Sequence, residues 1–363
     1  MRWVSRLNTN DFEKKNIIEI ILFLIACSGF ILISIMDRAH WGRSILSEGL
    51  PHFSTGYLIR SSVISISTLC LFLCLFGKNI VKNTKSNFEL DVIYGLPLER
   101  ISIFATLIIS LFFIALFIVD SPSFNSLSLE DNPIEWASFL SLFICAIIFA
   151  STFLKNQYLI IIPKFTKLSV LILALGFFYI SMEEISWFQR IIDFKTPVMF
   201  EANIQHEMNT HNFSTDIVEN LYYFGSFLLL VALPFIRFLY PFISNNNYLK
   251  FFIARPFIAI VGSIACAYNF DMWDIIFTQI AFISSLLILL TFLKFSTHKF
   301  EKYTIVFTIC IIIATQIIFL TNGERFARLW EVSEYKEFLI ALAYLIYAID
   351  VNANIRKIYY TQA

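Results

Sequence analysis

Two adjacent acids, Glu183 and Glu184, follow an apolar run and are the strongest candidates for chemistry in this sequence. The uncharged stretch from Leu168 to Met182 has 15 residues. It gives about 22 Å of helix, whereas the hydrocarbon core of a bilayer is about 30 Å thick. A helix that crosses must therefore continue through both glutamates. Ionisable groups at membrane depth are costly and by default indicate function.

The residues that follow supply partners for these acids. If the helix continues, Glu183, Ser186 and Arg190 share one face, so that Arg190 pairs with Glu183 while Glu184 points about 100° away. We predict that Glu183 or Glu184 acts as a base, assisted by His211, and that Arg190 binds a phosphate or carboxylate group. The alternative is an ion pair that closes the helix bundle and positions a loop.

The loop at 183–221 is the longest and is rich in amides. His206 and His211 are five residues apart, whereas the zinc-protease pattern places its two histidines four apart. We therefore predict no metal ligands, the alternative being a zinc site completed by Glu183 or Glu184. The sequence leaves the identity of any cofactor open. The candidate substrate-binding residues on this loop are Ser186, Trp187, Gln189, Arg190, Asn203, Gln205, Glu207 and Asn212.

A second acidic segment precedes the last apolar run. The uncharged stretch from Phe338 to Ile349 has only 12 residues, so a crossing helix must include Glu337 and take in Glu334. Glu331, Glu334 and Glu337 recur at three-residue steps and can line one side of that helix. Glu334 and Glu337 join the candidate substrate-binding residues. The alternative is a solvated helix start with acids near its positive end.

The elements that position these residues are transmembrane helices. Of the 363 residues, 58% are hydrophobic and 15% charged, the net charge is zero and the mean hydropathy is +0.73. A soluble domain carries about 25% charged residues. The composition predicts an all-α polytopic transmembrane bundle, formed as a single integral membrane domain over 1–363. It lacks the basic field that nucleic acid binding needs.

The apolar runs predict about ten spans, because each run approaches the 20 residues that a crossing helix needs. The seventh is the weakest, since Arg255 and Pro256 interrupt its start, and the first acts as an uncleaved anchor. The predicted spans lie near 17–36, 58–77, 101–119, 135–154, 168–187, 222–243, 251–268, 273–293, 303–321 and 334–351.

Lys and Arg alternate between the two sets of loops. The set that holds both termini carries 18 of them and the other set carries 8. By the positive-inside rule the first set is cytoplasmic, so both termini lie in the cytoplasm and the acidic segments face outward. The outer loops also hold five of the six tryptophans, a pattern typical of an aromatic belt.

Two outer loops resemble each other at an offset of 82 residues. Glu48 and Pro51 precede the second span as Glu130 and Pro133 precede the fourth. An acid before a proline in a first helical turn is also ordinary capping chemistry. We therefore keep an internal duplication of 17–77 in 101–154 as a hypothesis.

The segment from Glu183 to Asn212 resembles a family of uncharacterised bacterial multi-pass membrane proteins, whose hallmark reads E-E-I-S-W-G-Q-R, then T-P, N-x-Q-x-E and H-N. The matching residues are Glu183-Glu184-Ile185-Ser186-Trp187, Gln189-Arg190, Thr196-Pro197, Asn203, Gln205, Glu207 and His211-Asn212. The stretch from Glu130 to Trp136 resembles the family's E-D-G-x-x-E-W segment. Phe188 and Asn132 stand where the family usually has glycine. The resemblance implies a bacterial membrane protein and supplies no reaction.

Three functions compete. The first is an enzyme of the bacterial inner membrane, acting by transfer or hydrolysis on a lipid or a lipid-linked glycan of the cell envelope that reaches an outward-facing acidic site. The second is a transporter or flippase of envelope precursors. A charge at the centre of a span, or a pair of helices broken by Gly or Pro at mid-membrane, would support a transporter, and we see neither in the sequence. The third is a scaffold that docks an envelope partner, and the sequence does not identify one.

Overall fold

Ten main helical segments follow one another in the computed structural model, which describes residues 9–51, 53–85, 92–93, 95–155, 164–203, 206–240, 242–243, 246 and 249–362. Short helices at Ser121–Leu127, Gln189–Ile192 and Leu249–Phe252 lie between them. Within those ranges there is no strand, and nine of the segments are long and apolar enough to cross a membrane. The predicted all-α polytopic bundle is confirmed. The segments are α1 Thr9–His40, α2 Thr55–Lys85, α3 Pro97–Val119, α4 Pro133–Leu154, α5 Lys164–Glu184, α6 Thr215–Leu239, α7 Phe257–Ala265, α8 Ile276–Phe295, α9 Lys299–Thr321 and α10 Glu331–Gln362.

Local sequence explains where several helices begin. Pro97 and Pro133 occupy the first turns of α3 and α4, where a missing N–H costs nothing, and an acid follows each of them near the positive helix end. Helix α10 begins at Glu331 and includes Glu334 and Glu337, and α5 extends to Glu184. Both predicted extensions of apolar runs through their glutamates are therefore confirmed.

The α7 segment crosses the bundle although its helix is short. Nine residues give about 14 Å of helix, less than half of a hydrocarbon core. Non-helical flanks complete the crossing. Arg255 binds Glu99 and Asp350 at one end of the bundle, and Asn269 binds Lys336 at the other. Residues 257–265 are all buried, so protein rather than lipid surrounds this segment. The predicted seventh span crosses, but not as one long helix.

The bundle has two chemically distinct ends. One side of the bundle, which we call the acidic end, is formed by the connections 41–54, 120–132, 185–214, 269–275 and 322–330. We call the opposite side the basic end. Because the number of crossings is even, α1 begins and α10 ends at the basic end. That this end faces the cytoplasm stays a prediction from the charge bias. All five tryptophans of the predicted outer loops lie at the acidic end, at positions 41, 136, 187, 273 and 330.

Helices α6 and α7 pack unusually closely. Residues Leu228–Ala232 of α6 form a π-helix just before Pro234, which has no N–H to continue the regular ladder. Gly262 of α7 faces this turn, and a Cβ at that position would lie 3.0 Å from the Leu230 Cβ and 3.1 Å from a Val231 methyl. A glycine is needed for this approach of the two helices.

Buried ion pairs fix the remaining helices. In the α1–α2 hairpin, Arg60 binds Asp37 at 2.6 Å and donates to the Asp274 carbonyl just before α8. At the basic end, the Glu301 carboxylate accepts hydrogen bonds from the backbone nitrogens of Val92 and Ile93. The Arg60–Asp37 pair is stable in a bundle because its charges are matched, and the Glu301 carboxylate is stabilised by its backbone hydrogen bonds.

Candidate functional site

The chain turns sharply at the end of α5. Ser186, Trp187 and Phe188 adopt left-handed φ values of 48°, 54° and 62° in succession. The helix therefore stops at Glu184, and the prediction of one helical face shared by Glu183, Ser186 and Arg190 is wrong. Position 188 is where the resemblance leads us to expect glycine, the residue that adopts positive φ without strain.

Arg190 is held by carboxylates from the loop before α4, from the first turn of α4 and from its own long loop. Its guanidinium nitrogens lie 2.6 Å from Glu135, 3.0 Å from Glu130, 3.2 Å from Asp131 and 3.3 Å from Glu207. Burial lowers the pKa of Arg190, but these acids, Glu135 foremost, outweigh that effect and raise it. Its charge is therefore used to join the loop after α5 to the loop before α4. The predicted pairing with Glu183 is not formed.

Glu183 instead anchors the far end of the long loop. Its Oε1 accepts a hydrogen bond of 2.8 Å from the Trp187 indole. Its Oε2 accepts from the backbone nitrogens of Thr210 and His211, at 2.7 and 3.2 Å, and lies 3.4 Å from the His211 Nδ1. The side chain is 7% exposed. A carboxylate with this many donors is a structural anchor as well as a candidate base.

The other predicted loop residues bind mainly to each other. Gln189 donates to Thr196 and accepts from the Met208 nitrogen, and the Asn203 amide donates to the carbonyl of Glu207. The Ser186 hydroxyl donates to the Glu207 carboxylate at 2.5 Å. Gln205 lies outside the described residues. We call the following set the loop knot: Glu183, Ser186, Trp187, Gln189, Arg190, Asn203, Glu207, His211 and the buried Asn212.

A second group of acids converges beside the loop knot. We call it the carboxyl cluster, and its members are Glu48, Glu184, Glu219, Glu334 and Glu337. Glu337 lies at its centre and interacts electrostatically with each of the other four. The five come from the first loop and from α5, α6 and α10. Each of the five residues is half-buried, so part of its surface stays accessible.

Polar side chains from α6, from α10 and from the connection after α7 complete the cluster. The Tyr223 hydroxyl donates a hydrogen bond to the Glu337 carboxylate. Lys336 Nζ lies 4.3 Å from the centre of the Tyr223 ring and donates to Asn269 Oδ1 at 2.7 Å. Beside them, burial and then the charge of Glu48 raise the pKa of Asp271 to about 7. Burial likewise raises the pKa of Glu48, whose carboxyl faces that of Glu219.

Two residues connect the loop knot to the carboxyl cluster. His211, beside Glu183, also interacts electrostatically with Glu337. Glu135, the tightest partner of Arg190, interacts in the same way with Glu184 and Glu334. The acidic segments of four separate regions of the sequence therefore meet at one place on the acidic end.

Several polar atoms around the cluster are still able to form hydrogen bonds. In the described part of the chain, the Tyr222 hydroxyl, Glu48 Oε1 and Asp271 Oδ1 are buried and have no hydrogen-bond partner. Tyr222 interacts electrostatically with Glu184 and Glu337, and Asp271 with Glu48. Buried polar groups in a native fold are normally hydrogen-bonded, so these atoms are able to bind a water molecule, an ion or a substrate.

Sequence reasoning found three members of the cluster, Glu184, Glu334 and Glu337. It did not single out Glu219 or Tyr223. The sixth span was placed from residue 222, so Glu219 was assigned to the loop before it. Helix α6 begins at Thr215, so Glu219 belongs to a membrane-crossing helix. An acid one turn inside such a helix is the signal that could have identified it.

The described residues bring no three His, Cys, Asp or Glu side chains together in an arrangement that could hold a metal ion. No family model, curated protein or solved structure matches the chain. The chain has the architecture of a multi-pass membrane protein. Any more specific function has to be argued from the geometry of the acidic end.

Proposed function

We propose that the protein is a membrane enzyme whose carboxyl cluster performs acid–base chemistry on a lipid or lipid-linked envelope substrate. The site lies at the acidic end, which the charge bias predicts to be the outer face of the membrane, and the family resemblance implies that this is a bacterial inner membrane. One observation carries the proposal: five half-buried carboxyl side chains from four segments converge around Glu337. Active sites form where such elements meet.

Closely spaced carboxyls are suited to proton transfer. Like charges at short range cannot all be ionised, so some members keep a proton while others release it. Glu337 lies at the centre of the cluster and accepts the Tyr223 hydrogen bond, so it is our candidate base. Glu184, on the neighbouring helix, faces Glu337 and is our candidate acid. Glu183, Arg190 and the other loop-knot residues are positioning residues in this proposal, with His211 between the two groups.

The site is built for a substrate that lies in the membrane. Glu184 and Glu337 belong to crossing helices on the side of the acidic end, a position that suits a substrate whose head group lies at the membrane surface. Lys336 on α10 can donate to an oxygen of the substrate while the carboxyls exchange protons with it. Transfer and hydrolysis of a head group both need such a pairing of acid and base.

The test is an unbiased assay of lipid conversion. The purified protein is reconstituted with a total lipid extract from bacterial envelopes, and lipids are compared by mass spectrometry before and after incubation. We expect wild type to deplete one lipid and form one product. Glu337→Gln should slow this conversion by about 100-fold, the scale of one general acid–base contribution. The exposed Glu324→Gln is the matched control and should behave as wild type. If the wild-type protein left all lipids unchanged, the proposed enzymatic function would be refuted.

A transporter is the second candidate, and one observation favours it. Helix α7 is a short, protein-enclosed segment with non-helical flanks that crosses the core, a construction that transporters use at substrate sites. Bleaching of a fluorescent lipid analogue in sealed proteoliposomes separates the two functions. A transporter exposes the inner-leaflet pool to the bleach and leaves the lipid chemically unchanged. An enzyme changes the lipid without exposing that pool.

A further inference from the structure

Three acids from separate segments meet around Lys336. We call them the acid trio: Glu48 of the first loop, Glu219 of α6 and Asp271 of the connection after α7. The carboxyls of Glu48 and Glu219 lie within hydrogen-bonding range of each other, and each interacts electrostatically with Asp271. The Gly49 nitrogen donates to the Asp271 carbonyl at 2.9 Å, which holds the first loop in this place. The trio is therefore built by contacts between distant parts of the chain.

The acid trio has buried acceptor atoms that lack a donor. In the part of the chain that the structure describes, Asp271 Oδ1 and Glu48 Oε1 are buried and have no hydrogen-bond partner. Asp271 as a whole is only 2% exposed, whereas Glu48 and Glu219 are half-buried, so a ligand can reach the trio at the two glutamates. Because an ionised carboxylate only accepts hydrogen bonds, a ligand that completes this site has to donate them.

The acid trio also carries more negative charge than its surroundings balance. Lys336 interacts electrostatically with all three acids and with Glu337, so one ammonium group is shared among four carboxyls. Its Nζ donates to Asn269 Oδ1 at 2.7 Å, and Arg43, another cation of the acidic end, binds Asp274 instead. A positively charged ligand is therefore attracted to the trio.

We propose that the acid trio binds the ammonium group of a membrane lipid whose head group carries a primary amine beside a phosphate. The ammonium has three N–H donors for the carboxyls, and Lys336 donates to a phosphate oxygen of the same head group. The inference rests on the proposed function, since this lipid would be the substrate of the proposed enzyme. It assigns the trio to substrate binding and leaves proton transfer with Glu184 and Glu337.

An ammonium group suits the acid trio better than a metal ion does. A hard metal ion needs several oxygens at about 2.0–2.6 Å from one centre. Among the described residues, no three His, Cys, Asp or Glu side chains are arranged in that way. The oxygens that accept from an ammonium lie at about 2.7–2.9 Å from its nitrogen, so the carboxyls around it can stand farther apart.

A lipid is favoured over a soluble amine as the source of this ammonium group. The trio includes Glu219 of a membrane-crossing helix, and Lys336 belongs to another. A lipid in the surrounding bilayer is confined close to these helices, so its effective concentration at the site exceeds that of an amine in free solution.

The test compares lipids that differ only in the head group. Protein in nanodiscs with equal parts of dioleoyl phosphatidylethanolamine, phosphatidylcholine and phosphatidylglycerol is released in a mass spectrometer at energies that strip the surrounding lipid. Wild type should retain the ethanolamine lipid about tenfold more than either of the others, the effect of one charge-assisted hydrogen bond. The choline nitrogen keeps the charge but has no N–H, and the glycerol head group has no amine. Equal retention of the three lipids would overturn the proposal.

A substitution in the acid trio locates the site. Glu219→Gln keeps the size of the side chain, removes its charge and should lower retention of the ethanolamine lipid by about tenfold. The exposed Glu324→Gln is the matched control and should retain it as wild type does. An unchanged preference in Glu219→Gln would contradict the assignment. If that variant fails to fold, the wild-type comparison of ethanolamine and choline lipids still decides.

Two further comparisons separate the related ideas. Nanodiscs of phosphatidylglycerol alone, with ethanolamine in the buffer, should yield protein without bound amine, and retained ethanolamine would make the ligand a soluble amine and overturn the lipid. Selective retention of the ethanolamine lipid without lipid conversion in the earlier assay would leave the ammonium site standing and remove the enzyme. Conversion of a lipid that has no amine would keep the enzyme and remove the ammonium site.

Discussion

Glu183 Oε2 lies 2.7 Å from the backbone nitrogen of Thr210, so the end of α5 is tied directly to the far end of the long loop. The next residue, Glu184, interacts electrostatically with Glu337 in the carboxyl cluster. Two adjacent and chemically identical side chains therefore have different surroundings. One is saturated with hydrogen bonds from its own loop, and the other meets acids from distant helices.

This difference predicts opposite effects of the same substitution. Glu183→Gln removes the charge that accepts from Thr210 and His211 and should lower the free energy of unfolding by about 2 kcal/mol. Glu184→Gln removes a like charge beside Glu337 and should leave stability unchanged or higher while it impairs lipid conversion. Detergent-induced unfolding measures both. Equal destabilisation by the two variants would contradict the assignment.

Arg190 should be the most sensitive cation at the acidic end. Arg190→Ala leaves Glu130, Asp131, Glu135 and Glu207 without their common partner and should cost roughly 3 kcal/mol. We choose the low end of the range for buried pairs because 20% of the side chain is exposed. The exposed Arg38→Ala should change stability by less than about 0.5 kcal/mol. An Arg190→Ala protein as stable as this control would show that the four contacts contribute little.

Stability should fall as pH rises through the range in which Asp271 titrates. Burial raises its folded pKa to about 7, so between about pH 4 and pH 7 the folded protein keeps a proton that the unfolded chain has released. The resulting stabilisation is complete below the unfolded pKa and is lost as pH approaches and passes the folded one. Asp271→Asn should flatten this dependence when unfolding midpoints are measured across the interval, whereas the exposed Asp193→Asn should not.

The contact between α6 and α7 should not tolerate an added methyl group. Gly262→Ala places a Cβ 3.0 Å from Leu230 and should destabilise the protein by about 1–3 kcal/mol through overpacking. Gly225 on α6 is the control, because a Cβ there meets nothing within 4 Å. Gly225→Ala should be neutral or should stabilise by up to about 1 kcal/mol. If the two substitutions had equal effects, α6 and α7 would not be in close contact.

The sequence by itself determined the class of protein and the inclusion of its glutamates in two of the crossing helices. Hydropathy is local and additive, so the lengths of the runs before Glu184 and after Glu337 were enough to show that both helices include their glutamates. The same reasoning predicted about ten crossings. It also assigned Glu184, Glu334 and Glu337 to the site, although their roles there stay predictions.

Only the tertiary structure decided which of these residues meet. The left-handed residues 186–188 end α5, and this separates Glu183 from Arg190 and leaves Glu184 to face Glu337. The meeting of Glu48 with Glu219, and the short helix within the crossing of α7, depend on packing between segments far apart in the chain. A local pattern carries no information about such distances, because they are fixed only when whole helices pack together.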